Sequence, residues 1–338
     1  MKKNLIIVNN EKCTKNKDYF FCENIEISSI TQLLGNKFNI KLILREAAVK
    51  PVYKINNQDV LTATNIFFFI KNIIKSSFKD KGIYLIISVT PYTFISFLFL
   101  FLLRKKIFLY LRSDGKKEIS VIFGKKISLI YKMAENLMAK FSTLIVVNEK
   151  ISQKKKLHLV NPSQIDEEWY KNTVRTTRSE IKLLYVGRVK VEKGIFSLIN
   201  LFNGINNNKK IQLTVIGQGN SPENLNEKIK FLGPISNKKD LIKQYDQHDI
   251  FILPSYTEGH PQVLIESLAR EKPVIIFREI EHVASGYEGV FVIDRNEKDL
   301  SNIIKFIDEN YNKILEKIKK NVYPTKESFL KQLSKILD

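Results

Sequence analysis

The chain has 338 residues, above the usual limit for a single core, so two domains of ordinary size are expected. Its two cysteines, Cys13 and Cys22, lack a metal-ligand spacing and its four histidines form no cluster, which argues against a disulfide framework and a structural zinc. A net charge of +20 suits an anionic partner such as a nucleotide, a phospholipid surface or nucleic acid, and equally suits lysines spread over a solvated surface.

Leu5–Val8 reads as a first strand, too short an apolar run for a secretory leader, so the mature chain is expected to begin with a strand in the cytoplasm. Asn9–Asn16 then reads as a polar loop without glycine. Ile40–Leu44, Ile83–Val89, Ile107–Leu111 and Leu144–Val147 continue the strands, with helices over Asn65–Lys75 and Ile119–Lys140. Continuous apolarity, as opposed to alternation, marks strands covered on both faces and therefore parallel sheets flanked by helices. Phe94–Leu103 is an apolar run of ten residues, whereas a bilayer span takes roughly 20. With Arg104-Lys105-Lys106 after it, this run is either a docking element for an anionic membrane or a buried helix whose basic end complements its dipole. Lys116-Lys117, Lys125-Lys126 and Lys154-Lys155-Lys156 add to the basic character of this half.

Asn161–Glu180 is polar and without period, the best place for a linker. Beyond it, strands over Leu183–Val186, Leu213–Ile216, Ile250–Leu253, Val274–Phe277 and Val290–Ile293 alternate with helices over Ile195–Ile205, Lys238–Gln247, Pro261–Glu271 and Asp299–Lys320. The predicted class is α/β, two doubly wound halves with a groove between them. The expected division is residues 1–165, a linker over 166–180, a second half over 181–322, and a last helix over 323–338 with Thr325 as its cap.

The residues that carry chemistry follow strand ends. Gly187-Arg188 and Lys193-Gly194 place two cations beyond a strand, where Arg and Lys can converge on phosphate oxygens. Gly217-Gln218-Gly219 is a second such turn. Glu258-Gly259-His260-Pro261 leads into a helix carrying Glu266, with seven residues between the glutamates. Pro261 suits the first helical position, and the N–H groups around Gly259 and His260 then face an anion together with the helix dipole. In the first half, Arg112-Ser113-Asp114-Gly115 follows a strand. There Asp114 either serves an acceptor or forms a turn salt-bridged to Arg112.

In this order and spacing, Gly187-Arg188 with Lys193-Gly194, Gly217-x-Gly219, Phe231-Leu-Gly233-Pro234, Asp249–Ser255 and Glu258-x7-Glu266 resemble the retaining glycosyltransferases of family 4, with the GT-B fold of two Rossmann-like domains facing a cleft. The resemblance covers residues 181–295 closely and the N-terminal half in general organisation. It implies transfer of a hexosyl or N-acetylhexosaminyl group from a UDP- or GDP-linked donor to a surface glycan such as a capsule or O-antigen. The acceptor would be free or lipid-linked, and the protein cytoplasmic at the inner membrane face. By the same resemblance, Arg188 and Lys193 grip the diphosphate. Glu266 accepts the ribose hydroxyls, Glu258 meets the sugar, and Gly187, Gly217, Gly219, Gly233, Pro234, Gly259, His260 and Pro261 line the donor site. Asp114 would assist catalysis, and Arg112 and Ser113 would bind the acceptor.

The chain departs from that family in its glycine-free first loop, which leaves phosphate binding to the second half. It contains no D-x-D motif, so the expected reaction needs neither a metal nor a further cofactor. Two other readings compete: a basic anion- or membrane-binding protein without catalysis, and a nucleotide-sugar epimerase on the same architecture. The absence of interleaved aromatic and basic residues argues against nucleic acid.

Overall fold

The computed structural model describes residues 2–338 except 23, 49–52, 58, 153–155, 171–179, 206–209, 221–226 and 285. Most of the expected linker and Lys154-Lys155 of the basic run lie outside the described residues. The chain forms two compact units, one of Met1–Pro162 with Glu327–Asp338 and one of Ser163–Lys326.

The first unit runs β1 (Lys3–Asn16), β2 (Tyr19–Cys22), α1 (Ile25–Leu34), β3 (Phe38–Glu46), β4 (Tyr53–Ile55), β5 (Val60–Ala63) and α2 (Ile66–Lys79). It continues through β6 (Gly82–Ile87), α3 (Pro91–Leu102), β7 (Ile107–Leu111), α4 (Gly115–Phe123), α5 (Lys125–Lys140), β8 (Thr143–Val146) and β9 (His158–Leu159). The parallel strands lie in the order β5-β3-β1-β6-β7-β8-β9, a doubly wound sheet whose order reverses between β1 and β6.

Two sequence expectations change here and one open alternative is decided. Asn9–Asn16 is not a loop: it carries β1 onward, pairing past a bulge with β3 and, from Cys13 to Asn16, antiparallel with β2. Cys13 is buried between exposed Lys12 and Lys15, and one inward apolar residue in a polar run hides a strand from the sequence. The helix expected over Ile119–Lys140 is two helices, α4 and α5, parted at Gly124 with φ +85°. The apolar run Phe94–Leu103 is a core helix, since α3 buries Phe97 and Leu100 and packs Phe94, Leu98 and Phe99 on the same core, with Phe101 and Leu102 exposed at its end.

The second unit runs β10 (Glu180–Val186), α6 (Ile195–Gly204), β11 (Lys210–Ile216), β12 (Ile229–Gly233), α7 (Lys238–Gln247) and β13 (Ile250–Leu253). It ends with α8 (Gln262–Ala269), β14 (Val274–Phe277), β15 (Val290–Ile293), α9 (Glu297–Glu309) and α10 (Tyr311–Ile318). All its strands are parallel, in the order β12-β11-β10-β13-β14-β15. The order reverses between β10 and β13, and the carboxyl ends of those two strands form the switch point at which open α/β sheets bind ligands. Ile165 and Trp169, at the start of the polar stretch, are buried in this core. The helix expected over Asp299–Lys320 divides at Asn310, whose side chain donates to the Phe306 carbonyl and ends α9.

The last helix, α11 (Lys326–Leu337), buries Phe329, Leu330, Leu333 and Leu337 in the core of the first unit. The Phe329 and Tyr110 rings lie 6.5 Å apart. Each such side chain stabilises the fold by roughly 1.5–3 kcal/mol through removal from water. Phe329→Ala is expected to cost about 3–4 kcal/mol, measured as a lower urea midpoint. An unchanged midpoint would mean that α11 is not docked.

Candidate active site

At the carboxyl edge of the second sheet, three strand ends are joined by glycines. The Gly187 N–H donates to the Ile216 carbonyl (2.9 Å) and the Gly217 N–H to the Gly233 carbonyl (3.0 Å). A Cβ on Gly217 would overlap the Gly187 carbonyl, so the strand ends approach this closely only without side chains. One turn further, the Val189 N–H donates to the Gln218 carbonyl (2.8 Å), with Gly219 packed on Val189. Tyr185, wholly buried, donates from its hydroxyl to the Arg188 carbonyl (2.7 Å) and holds the turn from beneath. The result is a ledge of backbone from Gly187 to Gly233, with Pro234 exposed beyond it.

Arg188 stands at the rim, its side chain 48% exposed and 3.7 Å from the buried Glu192. The chain then makes a helical turn, Val191–Lys193, and Gly194 leaves it with φ +66°. A side chain on Gly194 would overlap the Pro254 carbonyl, which explains why glycine links β10 to α6 against the end of β13. That contact sets Lys193 beside the β13–α8 loop. Its ammonium lies 2.7 Å from Glu258 Oε1, and the Ser255 hydroxyl donates to the same oxygen at 2.6 Å. Both ionic side chains are mostly buried, at 21% and 11% exposure, so this pair is little screened by water.

The loop carrying Glu258 is tied down at four points. The Tyr256 N–H donates to the Glu192 carbonyl (3.1 Å) and His282 Nε2 donates to the Glu258 carbonyl (2.9 Å). Gln262 accepts from the Gln164 N–H (3.2 Å) at the start of α8. Arg295 donates to the Pro254 carbonyl (2.9 Å) and to Glu279 (2.8 Å) while lying 4.3 Å from the Tyr256 ring and 4.2 Å from the Phe277 ring. Pro261 is the cap of α8 and Gln262 its first residue, one position later than expected: with ψ at 112° Pro261 is extended. Gly259 is buried and His260 half-buried in the approach.

Glu266 is no surface glutamate. It is buried in α8, and the hydroxyl of wholly buried Tyr245 donates to its Oε2 at 3.0 Å. Tyr245 is fixed in turn by the rings of Trp169 and Phe251. Burial pushes the Glu266 carboxyl up to about 7, and the Tyr245 hydrogen bond only partly opposes this.

The first-unit candidates have other partners. Arg112 does not hold Asp114: it pairs with Glu26 (2.8 Å), the carboxylate that also accepts from Tyr110 (2.9 Å). Asp114 caps α4, accepting from the Lys117 N–H (3.2 Å), and Ser113 donates to Glu118 (3.0 Å). Burial of the Arg112 guanidinium makes a carboxylate partner necessary, and Glu26 on α1 supplies one that lies 86 residues away in sequence.

Residues 167–324 match the sequence pattern of the family described as glycosyl transferases group 1. The second unit belongs to that family. Its relatives include a capsular polysaccharide biosynthesis glycosyltransferase, CapM, of Staphylococcus aureus, 28% identical over 184 residues that make up 50% of this chain and 47% of that one. Another is the N,N'-diacetylbacillosaminyl-diphospho-undecaprenol alpha-1,3-N-acetylgalactosaminyltransferase of Campylobacter jejuni, 32% identical over 76 residues, 22% of this chain and 20% of that one. The chain thus spans less than half the length of these two curated relatives. Anabaena Alr3699/HepE, solved with UDP and glucose, superposes with a TM-score of 0.69 at 14% identity over 98% of both chains. The fold is GT-B.

Within this glycosyltransferase family unit, Lys193 and Glu258 meet directly, Arg188 pairs with Glu192 at the end of β10, and Glu266 pairs with Tyr245. Arg295, His282 and Tyr245 escape the sequence reading, and Ser255 enters it only as the end of the Asp249–Ser255 run. Arg295 follows the end of β15, so the strand-end rule that found Arg188 would have found it.

The high Glu266 carboxyl value has a definite sign for stability. Below the ordinary value of 4.5 the group is protonated in both states and costs nothing. Between 4.5 and about 7 only the unfolded chain ionises, so stability falls as pH rises, and above 7 the full cost of about 3 kcal/mol remains. Glu266→Gln is expected to melt higher than the parent at pH 8 and equally at pH 4. A lower melting point at pH 8 would contradict the burial argument.

Proposed function

We propose that this protein is a retaining glycosyltransferase, moving a sugar from a nucleoside-diphosphate sugar to a glycan acceptor during assembly of a bacterial surface polysaccharide, without a divalent metal. The observation that carries the reading is the Lys193–Glu258–Ser255 cluster beside the glycine ledge, at the switch point of the second sheet. In such a transfer the bond from the anomeric carbon to the diphosphate breaks and negative charge grows on the leaving oxygen. A fixed ammonium in a half-dry site stabilises that charge at no reorganisation cost, and Arg188 at the rim adds a planar fork for the same phosphates. Glu258 holds the ammonium through Oε1, and Oε2 is the oxygen that would accept from the sugar hydroxyls. The acceptor hydroxyl bonds to the anomeric carbon from the face the diphosphate leaves, and its proton passes to the departing phosphate oxygen.

Glu266 suits the ribose diol: a carboxylate accepts from two neighbouring hydroxyls, and a buried one does so strongly once its own desolvation is met. UDP and GDP sugars share that ribose. The name of the Campylobacter relative supports an acceptor built on a lipid diphosphate. Thermal shift of the full chain with UDP-, GDP- and ADP-sugars in EDTA tests the reading. One class is expected to stabilise it, with Lys193→Ala and Glu266→Ala each weakening affinity about tenfold or more. Parent affinity is expected to fall as pH drops through about 7 and Glu266 takes up its proton. Stabilisation by none of the sugars, or only with added divalent metal, would count against it.

A further inference from the structure

The two cysteines of the chain are brought face to face by the β1–β2 hairpin. Its strands are joined by Lys17 and Asp18 alone, with Lys17 in the left-handed region at φ +53°. The ladder pairs Asn16 with Tyr19, Lys15 with Phe20, Thr14 with Phe21 and Cys13 with Cys22. In a hairpin with a two-residue turn the closing pair exchanges both backbone hydrogen bonds, and bonded and non-bonded pairs then alternate along the strands. Asn16–Tyr19 and Thr14–Phe21 are therefore bonded pairs, while Lys15–Phe20 and Cys13–Cys22 are non-bonded ones. A non-bonded pair has its Cα atoms about 4.5 Å apart and both side chains on one face, inside the window of about 4.4–6.8 Å that a disulfide spans. The other non-bonded pair meets across that same face, with Lys15 Nζ 5.9 Å from the Phe20 ring.

Both side chains are wholly buried, and the Cys22 thiol donates to the Asn24 carbonyl (3.2 Å). Burial pushes the Cys13 thiol up to about 12, with Cys22, Glu46 and Glu11 acting in the same direction, so Cys13 stays protonated while the hairpin is closed. Reaction therefore passes through a local opening, and the hairpin is built for one. Residues 15–19 are exposed, β2 has four residues, and its outer partner β4 has three. With a small-molecule disulfide as oxidant, one cysteine thiolate attacks a reagent sulfur, expels a thiolate and leaves a mixed disulfide. The second cysteine thiolate then attacks the protein sulfur of that bond and expels the other half of the reagent. Two protein thiols are thus oxidised to one disulfide, and the reagent is reduced to two thiols that take up the two protons. The opposed register makes the second attack intramolecular, so the mixed disulfide does not last. One cross-link between neighbouring strands is distinct from the disulfide framework that the sequence argues against.

We infer that Cys13 and Cys22 form a reversible dithiol–disulfide site that locks the β1–β2 hairpin at the carboxyl edge of the first sheet. This stands apart from the sugar-transfer reading. The test is incubation of the full chain, reduced and then cleared of reductant, with glutathione disulfide, followed by an acid quench and intact mass measurement. The parent is expected to lose two hydrogens and keep no glutathione, to release a tryptic fragment joining Cys13 to Cys22, and to regain both thiols with dithiothreitol. Amide exchange over residues 13–22 is expected to slow by about tenfold in the oxidised chain. Cys13→Ser and Cys22→Ser are each expected to end as an adduct with one glutathione. A hydroxyl in a wholly buried site destabilises the fold, so the parent decides the matter without them. A parent that keeps both thiols, that ends as a glutathione adduct, or that forms disulfide-linked dimers in place of the internal bond would overturn the inference, as would unchanged amide exchange after oxidation.

Discussion

The Lys193–Glu258 ion pair joins the two halves of the second sheet at the point where its strand order reverses. Lys193 ends the turn after β10, and Glu258 stands in the loop after β13, so one 2.7 Å contact closes the switch point. Removing either partner would leave the other charge half-buried and unmet, which costs more than the pair gains over an apolar substitute. The rest of the site serves this contact. Gly194 lets the turn lie against Pro254, Arg295 holds the Pro254 carbonyl, Ser255 shares the Glu258 oxygen, and His282 fixes the Glu258 backbone. Four side chains and one glycine thus set the position of a single ammonium.

Glu266 works by a different principle. Its position depends on burial and on a hydroxyl from another helix, not on an opposite charge. That makes it expensive above neutral pH in the empty protein, a cost that structure alone does not justify and that a ligand with a vicinal diol would offset. In the proposed function one glutamate of the pair tunes a cation, and the other accepts the ribose hydroxyls of the donor.

How far the fold could be read from the sequence follows from the length and continuity of each signal. Strands buried on both faces, such as Ile250–Leu253 and Val274–Phe277, are continuous apolar runs and were legible to the residue. The second half of β1 was not, because only Cys13 there turns inward, nor were the three- and four-residue strands β4 and β5. Helix breaks at Gly124 and Asn310 were hidden by apolar periodicity that resumes on both sides. The meeting of Lys193 and Glu258 was legible because both follow strand ends that lie side by side in the sheet. The partners of Arg112 and Glu266 were not, since Glu26 and Tyr245 reach them from other elements, 86 and 21 residues away. The apolar run that caught the eye, Phe94–Leu103, is core. Exposed apolar residues such as Ile130 and Met133 stand instead on α5, where two apolar faces on one helix blur the period that would have shown them.

The central claim is that Glu258 acts on the nucleotide through Lys193. A double-mutant cycle of Lys193→Ala and Glu258→Gln, with UDP and GDP affinity measured by titration calorimetry in EDTA, tests it most directly. The account predicts a coupling of about 1–3 kcal/mol between the two positions. Additivity within about 0.5 kcal/mol would contradict it, since two residues acting as one would then act separately.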